Sequence, residues 1–161
     1  MRWLDRAIEA LAALGVIAYG LAAIVTVADI LGRVVGLAVA GVVDIVQLFV
    51  LAGAWFVIPW AFVAGAHVGV EFVVDALPAA LGRLIRAFAA LLAGGLLILM
   101  LLYGHDAFQT QQMLGDTSQQ LGIPIMYFWW PVLIGQAAAV AATGSVLIRL
   151  GRQAMGAEAA R

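Results

Sequence analysis

The sequence predicts an all-α integral membrane protein. Four transmembrane helices are expected, with both termini cytoplasmic (N-in/C-in) and a short amphipathic interfacial helix between helices 2 and 3. Three observations lead there. Residues 10–28, 45–66, 87–104 and 125–148 contain no Asp, Glu, Lys or Arg, in runs of 19, 22, 18 and 24 residues. About 20 apolar residues, rising ~1.5 Å each, cross the ~30 Å hydrocarbon core of a bilayer. The composition agrees: 66% of the chain is hydrophobic and 11% charged, with a mean hydropathy of +1.12, against ~25% charged residues in soluble domains. The third observation is the placement of arginine. Arg2 and Arg6 precede the first run, Arg83 and Arg86 lie between the second and third, and Arg149, Arg152 and Arg161 follow the fourth. Residues 104–124 carry none, and only Arg33 falls on the opposite side. Cationic residues favour the cytoplasmic face, so the termini and middle loop are expected inside.

The same composition excludes several classes. The chain has no Lys, and its 8 Arg nearly balance 9 acids, so no electrostatic footprint for nucleic acid exists. Without Cys there are no disulfides and no thiolate metal sites. Four spans with short connections leave no room for a separate soluble domain, so residues 1–161 are expected to form a single membrane domain.

The first run superficially resembles a secretory signal, with Ala38-Val39-Ala40 as its cleavage site. A signal's apolar region is only ~7–15 residues long, whereas 19 uncharged residues and then Asp29 and Arg33 precede that tripeptide. It therefore reads as an uncleaved helix over about 10–33, with Trp3 anchoring its inner interface. The second span is expected over 43–66, kinked at Pro59. After it, Val70, Val73, Val74 and Leu77 fall at i, i+3, i+4 and i+7, while Glu71 and Asp75 lie one turn apart on another face. This pattern suits an interfacial helix over 68–78, ended near Pro78. The alternative is that the second helix simply continues past His67.

The third span is expected over 84–104 and the fourth over 125–148, the latter opened by Tyr127, Phe128, Trp129 and Trp130 at the headgroup level. Pro131 sits in its first turns, where a missing N–H matters little. Gly94 with Gly95, Gly135 with Ala139, and Ala137 with Ala141 make small-residue ridges for close packing of helices.

Polar residues near the membrane are functional candidates by default. Asp29 and Arg33 have the i, i+4 spacing of an ion pair, and Asp44 opens the second span, where a carboxylate meets the positive end of the helix dipole. The three are expected to form one polar clamp at the outer interface, the alternative being a solvated pair and a separate helix cap. His67 and His105 end successive spans on opposite sides, ~30 Å apart, and cannot share a metal or haem. Each instead suits a helix C-terminus. No cofactor is expected. No hydrolytic constellation or phosphate-binding loop is present, and no span carries a carboxylate near its centre, as a self-contained proton-coupled exporter requires. Paired broken helices that build transport sites are also missing.

Several landmarks, in order, resemble the small membrane subunit (Q, DctQ-type) of tripartite ATP-independent periplasmic (TRAP) transporters. Asp29-Ile30-Leu31-Gly32-Arg33 is like that family's D-x-x-x-R. Asp44 stands where the family usually has Glu. Gly65-Ala66-His67-Val68-Gly69-Val70-Glu71 is similar to its G-x-H-V-x-V-[DE] stretch, although Gly69 replaces a common Arg, and Leu77-Pro78 follows. Ser118-Gln119-Gln120-Leu121-Gly122-Ile123-Pro124 resembles S-x-x-L-x-I-P, and Pro131 the proline after it.

The resemblance implies a non-catalytic scaffold subunit in a bacterial inner membrane. Its partners would be a large membrane subunit (M), which moves organic anions such as carboxylates or sialic acid-like solutes with sodium, and a periplasmic substrate-binding protein (P). Asp29, Arg33 and Asp44 then become a clamp or subunit interface, and His67, Glu71 and Asp75 fix the cytoplasmic end of the second span. Asp116, Ser118, Leu121, Pro124, Trp129 and Trp130 form a surface for the periplasmic partner. The rival readings are a free-standing homo-oligomeric channel or exporter and a membrane anchor for an enzyme or electron-transfer protein.

Overall fold

The structure, a computed structural model, describes residues 2–64 and 78–159. Four helices make up its architecture: α1 (Arg2–Val34), α2 (Val42–Ala64), α3 (Ala79–Leu114) and α4 (Met126–Ala159). Each contains a stretch long and apolar enough to cross a membrane. The segment expected to be an interfacial helix lies outside the described residues, as do His67, Glu71 and Asp75; only Pro78 at its end is described, and it precedes the first turn of α3.

Three of the helices overrun the charge-free runs. At ~1.5 Å per residue, the 33, 36 and 34 residues of α1, α3 and α4 extend well past a ~30 Å hydrocarbon core. Charged residues do not stop them, because beyond the core charges are solvated and leave backbone hydrogen bonding intact. Glycine does stop α1 and α3. Gly36 has φ +79° and Gly115 φ +69°, the left-handed conformation that closes a helix. After α1, Leu37 N–H donates to Gly32 C=O (2.7 Å) and Gly36 N–H to Arg33 C=O (3.2 Å). After α3, Asp116 N–H donates to Gln111 C=O (3.1 Å) and Gly115 N–H to Gln112 C=O (3.2 Å). Both are the paired 6→1 and 5→2 bonds that satisfy orphan carbonyls at a helix end.

The helices form an open row in the order α1–α2–α4–α3 rather than a closed bundle. Helix α1 packs on α2, α2 on α4, and α4 on α3; α1 meets α4 only marginally, and among the described residues α3 touches α4 alone. Chain neighbours α2 and α3 are thus separated by α4. The share of the most apolar window that is buried follows this order: 39% in α4 but 6% in α3, so α3 is an edge helix presenting most of its surface outward.

Small residues set the seams, because lipid tails supply no hydrophobic drive between helices and association depends on close contact. Gly15 and Gly53 bring α1 against α2; a Cβ on Gly15 would lie 2.8 Å from Val57 Cγ2, and one on Gly53 2.9 Å from the Tyr19 ring. On α4, Phe128, Val132, Gly135, Ala139, Ala142 and Thr143 are buried at three- and four-residue spacing. Gly94 of α3 faces Thr143, and Gly104 faces Gln136 and Trp129. By contrast, Ala137 and Ala141 face outward, and Gly95 meets nothing within van der Waals range.

The α2–α4 seam solves a backbone problem. Pro59 is fully buried within α2 and has no N–H, so the carbonyl four residues earlier, on Trp55, loses its helical donor. Gly135 of α4 lies directly against that carbonyl oxygen, and a Cβ there would also come within 2.6 Å of Trp55 Cβ. A Cα–H···O contact is available only because residue 135 has no side chain. Hydroxyls within the row close on their own helices: Thr143 to Ala139 C=O (2.9 Å) and Ser145 to Ala142 C=O (2.7 Å), as buried hydroxyls require.

Gly135→Ala is expected to destabilise the chain by about 1–3 kcal/mol through overpacking, whereas Gly95→Ala, on open surface, should leave it unchanged. Thermal unfolding of the detergent-solubilised protein measures both, and equal melting temperatures would refute the Trp55–Gly135 seam.

Candidate functional site

The acidic residues and arginines among the described residues gather toward the two ends of the row. At one end lie the 35–41 and 115–125 connections. Asp29, on the last turns of α1, is 6% exposed. Its Oδ2 accepts from Nε of Arg33 (2.8 Å) and its Oδ1 from the backbone N–H of Val39 (3.0 Å). One carboxylate therefore neutralises a guanidinium and ties the α1–α2 connection back onto α1. The Arg33 side chain remains 60% exposed, and an ion pair so open to its surroundings stabilises little by itself.

Asp44 works over a longer range. It lies in the first turn of α2, where the helix dipole favours negative charge, and is 3% exposed. Its Oδ2 accepts the backbone N–H groups of Gln120 (3.0 Å) and Leu121 (2.8 Å), and the Ser118 side chain faces the same carboxylate. The segment it grips is a compact hairpin. Ser118 N–H donates to Ile123 C=O (2.8 Å), Ile125 N–H to Asp116 C=O (3.0 Å), and Ile123 N–H to the Ser118 hydroxyl oxygen (2.9 Å). Thr117 and Pro124 pair across it, and Gly122 turns the chain at φ +65°. The Leu121 side chain seats on Gly41, where φ is +72° and a Cβ would collide with it.

Asp29 and Arg33 thus come together, whereas Asp44 bonds the 118–121 turn rather than Arg33. The three share one end of the row as two adjacent locks, not one network. The residues expected to meet a periplasmic partner divide similarly. Asp116, Pro124 and Trp130 are exposed, and Leu121 is partly so. Ser118 holds the hairpin from within. Trp129 is half-buried and donates its Nε1–H to Gln111 Oε1 (2.6 Å), binding α4 to the C-terminal part of α3. Phe108 packs between Trp129 and Trp130, with ring centroids 6.4 and 6.2 Å away.

Some anchors are not visible in sequence. At the opposite end, Arg149 of α4 pairs with Asp5 of α1 at 2.5 Å, 144 residues apart, and Arg6 lies 6.0 Å from the centre of the Trp3 ring. The topology signals this pair only in that Asp5 and Arg149 flank runs expected to end on the same side. Gln136 is 3% exposed, and its Oε1 has no hydrogen-bond donor; it rests against Gly104. His105 is exposed and paired with Gln109. Among the described residues no group of three His, Cys, Asp or Glu is arranged to hold a metal ion.

Four membrane-length helices in one open layer, with buried carboxylates fastening the connections at one end, define a multi-pass membrane protein. The particular kind follows from comparison. Residues 22–153 match the family model for tripartite ATP-independent periplasmic transporters, DctQ component, and the chain belongs to that family. It is therefore a small membrane component of a TRAP transporter, made to work with other components of that complex. No curated protein matches it.

Replacing Asp44 tests the longer lock. Hydrogen bonds to a charged acceptor contribute about 1.5–3 kcal/mol each, so Asp44→Ala should accelerate amide exchange at Gln120 and Leu121 by about tenfold or more. Asp44→Asn, which keeps an acceptor, should lie between. Unchanged exchange in Asp44→Ala would refute the lock.

Proposed function

We propose that this chain is a non-catalytic scaffold subunit of a sodium-coupled TRAP transporter of a bacterial inner membrane. It assembles with the large membrane subunit, which carries organic anions such as carboxylates or sialic acid-like solutes, and it helps dock the periplasmic binding protein. The observation that carries the reading is the open row. Its edge helices, α1 and α3, expose long apolar faces such as Val16, Ile24, Leu31, Leu84, Leu91 and Leu99, suited to lateral packing on a larger apolar partner or to lipid.

In this reading the locked end faces outward, since the arginine-free 104–124 stretch lies there and the positive-inside rule assigns it to the periplasm. The hairpin with Asp116 and Pro124, together with Trp130, offers the surface for the binding protein, and Asp44 holds that surface at a fixed height above the membrane. Asp29 orders the α1–α2 connection and presents the exposed Arg33 to the large subunit. His67, Glu71 and Asp75 are assigned to the cytoplasmic end of the second span.

Two measurements test it. Arg33→Ala should leave the isolated chain folded, because an exposed ion pair contributes only about 0–1 kcal/mol, yet reduce co-purification with the large subunit and sodium-driven uptake; unchanged assembly and uptake would remove Arg33 from the interface. Proteoliposomes holding this chain alone should show no uptake, which returns only with the large subunit and binding protein. Transport by the chain alone would instead establish the rival, a homo-oligomeric channel or exporter.

A further inference from the structure

Between α3 and α4, on the surface of the row near the locked end, runs an open groove of about 490 Å³. Its character changes along its length. Leu101, Leu133 and Ala137 line the stretch toward the middle of the helices, and His105, Asp106 and Trp130 the rim nearer the locked end. The change coincides with the end of the third charge-free run at residue 104 and with the aromatic start of α4. The apolar part therefore lies at hydrocarbon depth and the rim at headgroup depth.

The rim has a definite charge. Asp106 is exposed and its carboxylate forms no ion pair among the described residues, and residues 104–124 supply no Arg or Lys to neutralise it. Beside it, the exposed His105 ring pairs through Nε2 with the Gln109 side chain (2.9 Å), so an imidazole able to donate to an anion stands on the same rim. A negative group and an imidazole, set above an apolar trough, complement an ammonium and a phosphate above an acyl chain.

We propose that this groove is a binding site for one amine-bearing zwitterionic phospholipid, of the phosphatidylethanolamine class. Its acyl chain lies along Leu101, Leu133 and Ala137, its ammonium meets Asp106, and its phosphate accepts from His105. An anionic lipid such as phosphatidylglycerol is disfavoured there, because its headgroup has no cation to offer Asp106. The proposal rests on the membrane reading of the chain but not on which side faces out.

The test uses the complex of this chain with the large membrane subunit, in nanodiscs holding equal phosphatidylethanolamine and phosphatidylglycerol, with retained lipid read by native mass spectrometry. The wild type should retain phosphatidylethanolamine over phosphatidylglycerol by about threefold, the worth of one exposed ion pair. Asp106→Asn should bring that ratio to about one, and Ala137→Phe, which fills the trough from an outward-facing position, should remove the retained lipid. Equal retention of the two lipids by the wild type, an unchanged ratio in Asp106→Asn, or undiminished lipid in Ala137→Phe would each overturn the site. So would loss of subunit assembly in Ala137→Phe, because it would assign the groove to a protein partner. Co-purification of the wild-type subunits, scored on the same samples, tests the scaffold reading separately.

Discussion

Helix α4 makes one molecule of four helices. On one flank it carries the pair α1–α2, through Gly135 against Trp55; on the other it carries α3, through Thr143 and Gln136 against Gly94 and Gly104. Among the described residues α3 touches nothing else. In water such seams would be driven by apolar burial. Here contact distance and backbone accommodation replace it, which is why glycine recurs at each crossing.

The carboxylates play a complementary part at the loop end. A connection between membrane helices must satisfy its backbone N–H groups near a medium that offers few acceptors. Asp29 and Asp44 supply acceptors from within helices, so the connections take their shape from the helix ends. The surface at this end of the DctQ family member is consequently part of the folded row.

Much of this was legible in the sequence. The four spans follow from runs without charge, and the Asp29–Arg33 pair from i, i+4 spacing. The family follows from motifs spread over the chain. Most helices run on beyond the expected spans, because absence of charge marks the hydrocarbon core, while α1 and α3 continue until Gly36 and Gly115 adopt positive φ. The order of the row was hidden for a different reason: a helix apolar on all sides has no face to read, so α3 gave no sign that it avoids α2. Asp44 was found by its place at a helix start, but not its partners, since these are backbone N–H groups 76 and 77 residues away, and any residue type supplies those. Ala137 and Ala141 had the spacing of a packing ridge but lie on the outer side of α4.

The seam at Trp55 also ties two distant positions together. While residue 59 is proline, residue 135 must stay without a side chain, because the orphaned carbonyl needs a near neighbour and leaves no space for a methyl group. Replacing the proline by alanine would restore the missing N–H and remove the need for that neighbour, yet Trp55 Cβ would still crowd a methyl group at 135 while the two helices keep their spacing. Positions 59 and 135 are therefore coupled through Trp55, and the combined effect of substituting both should differ from the sum of the separate ones.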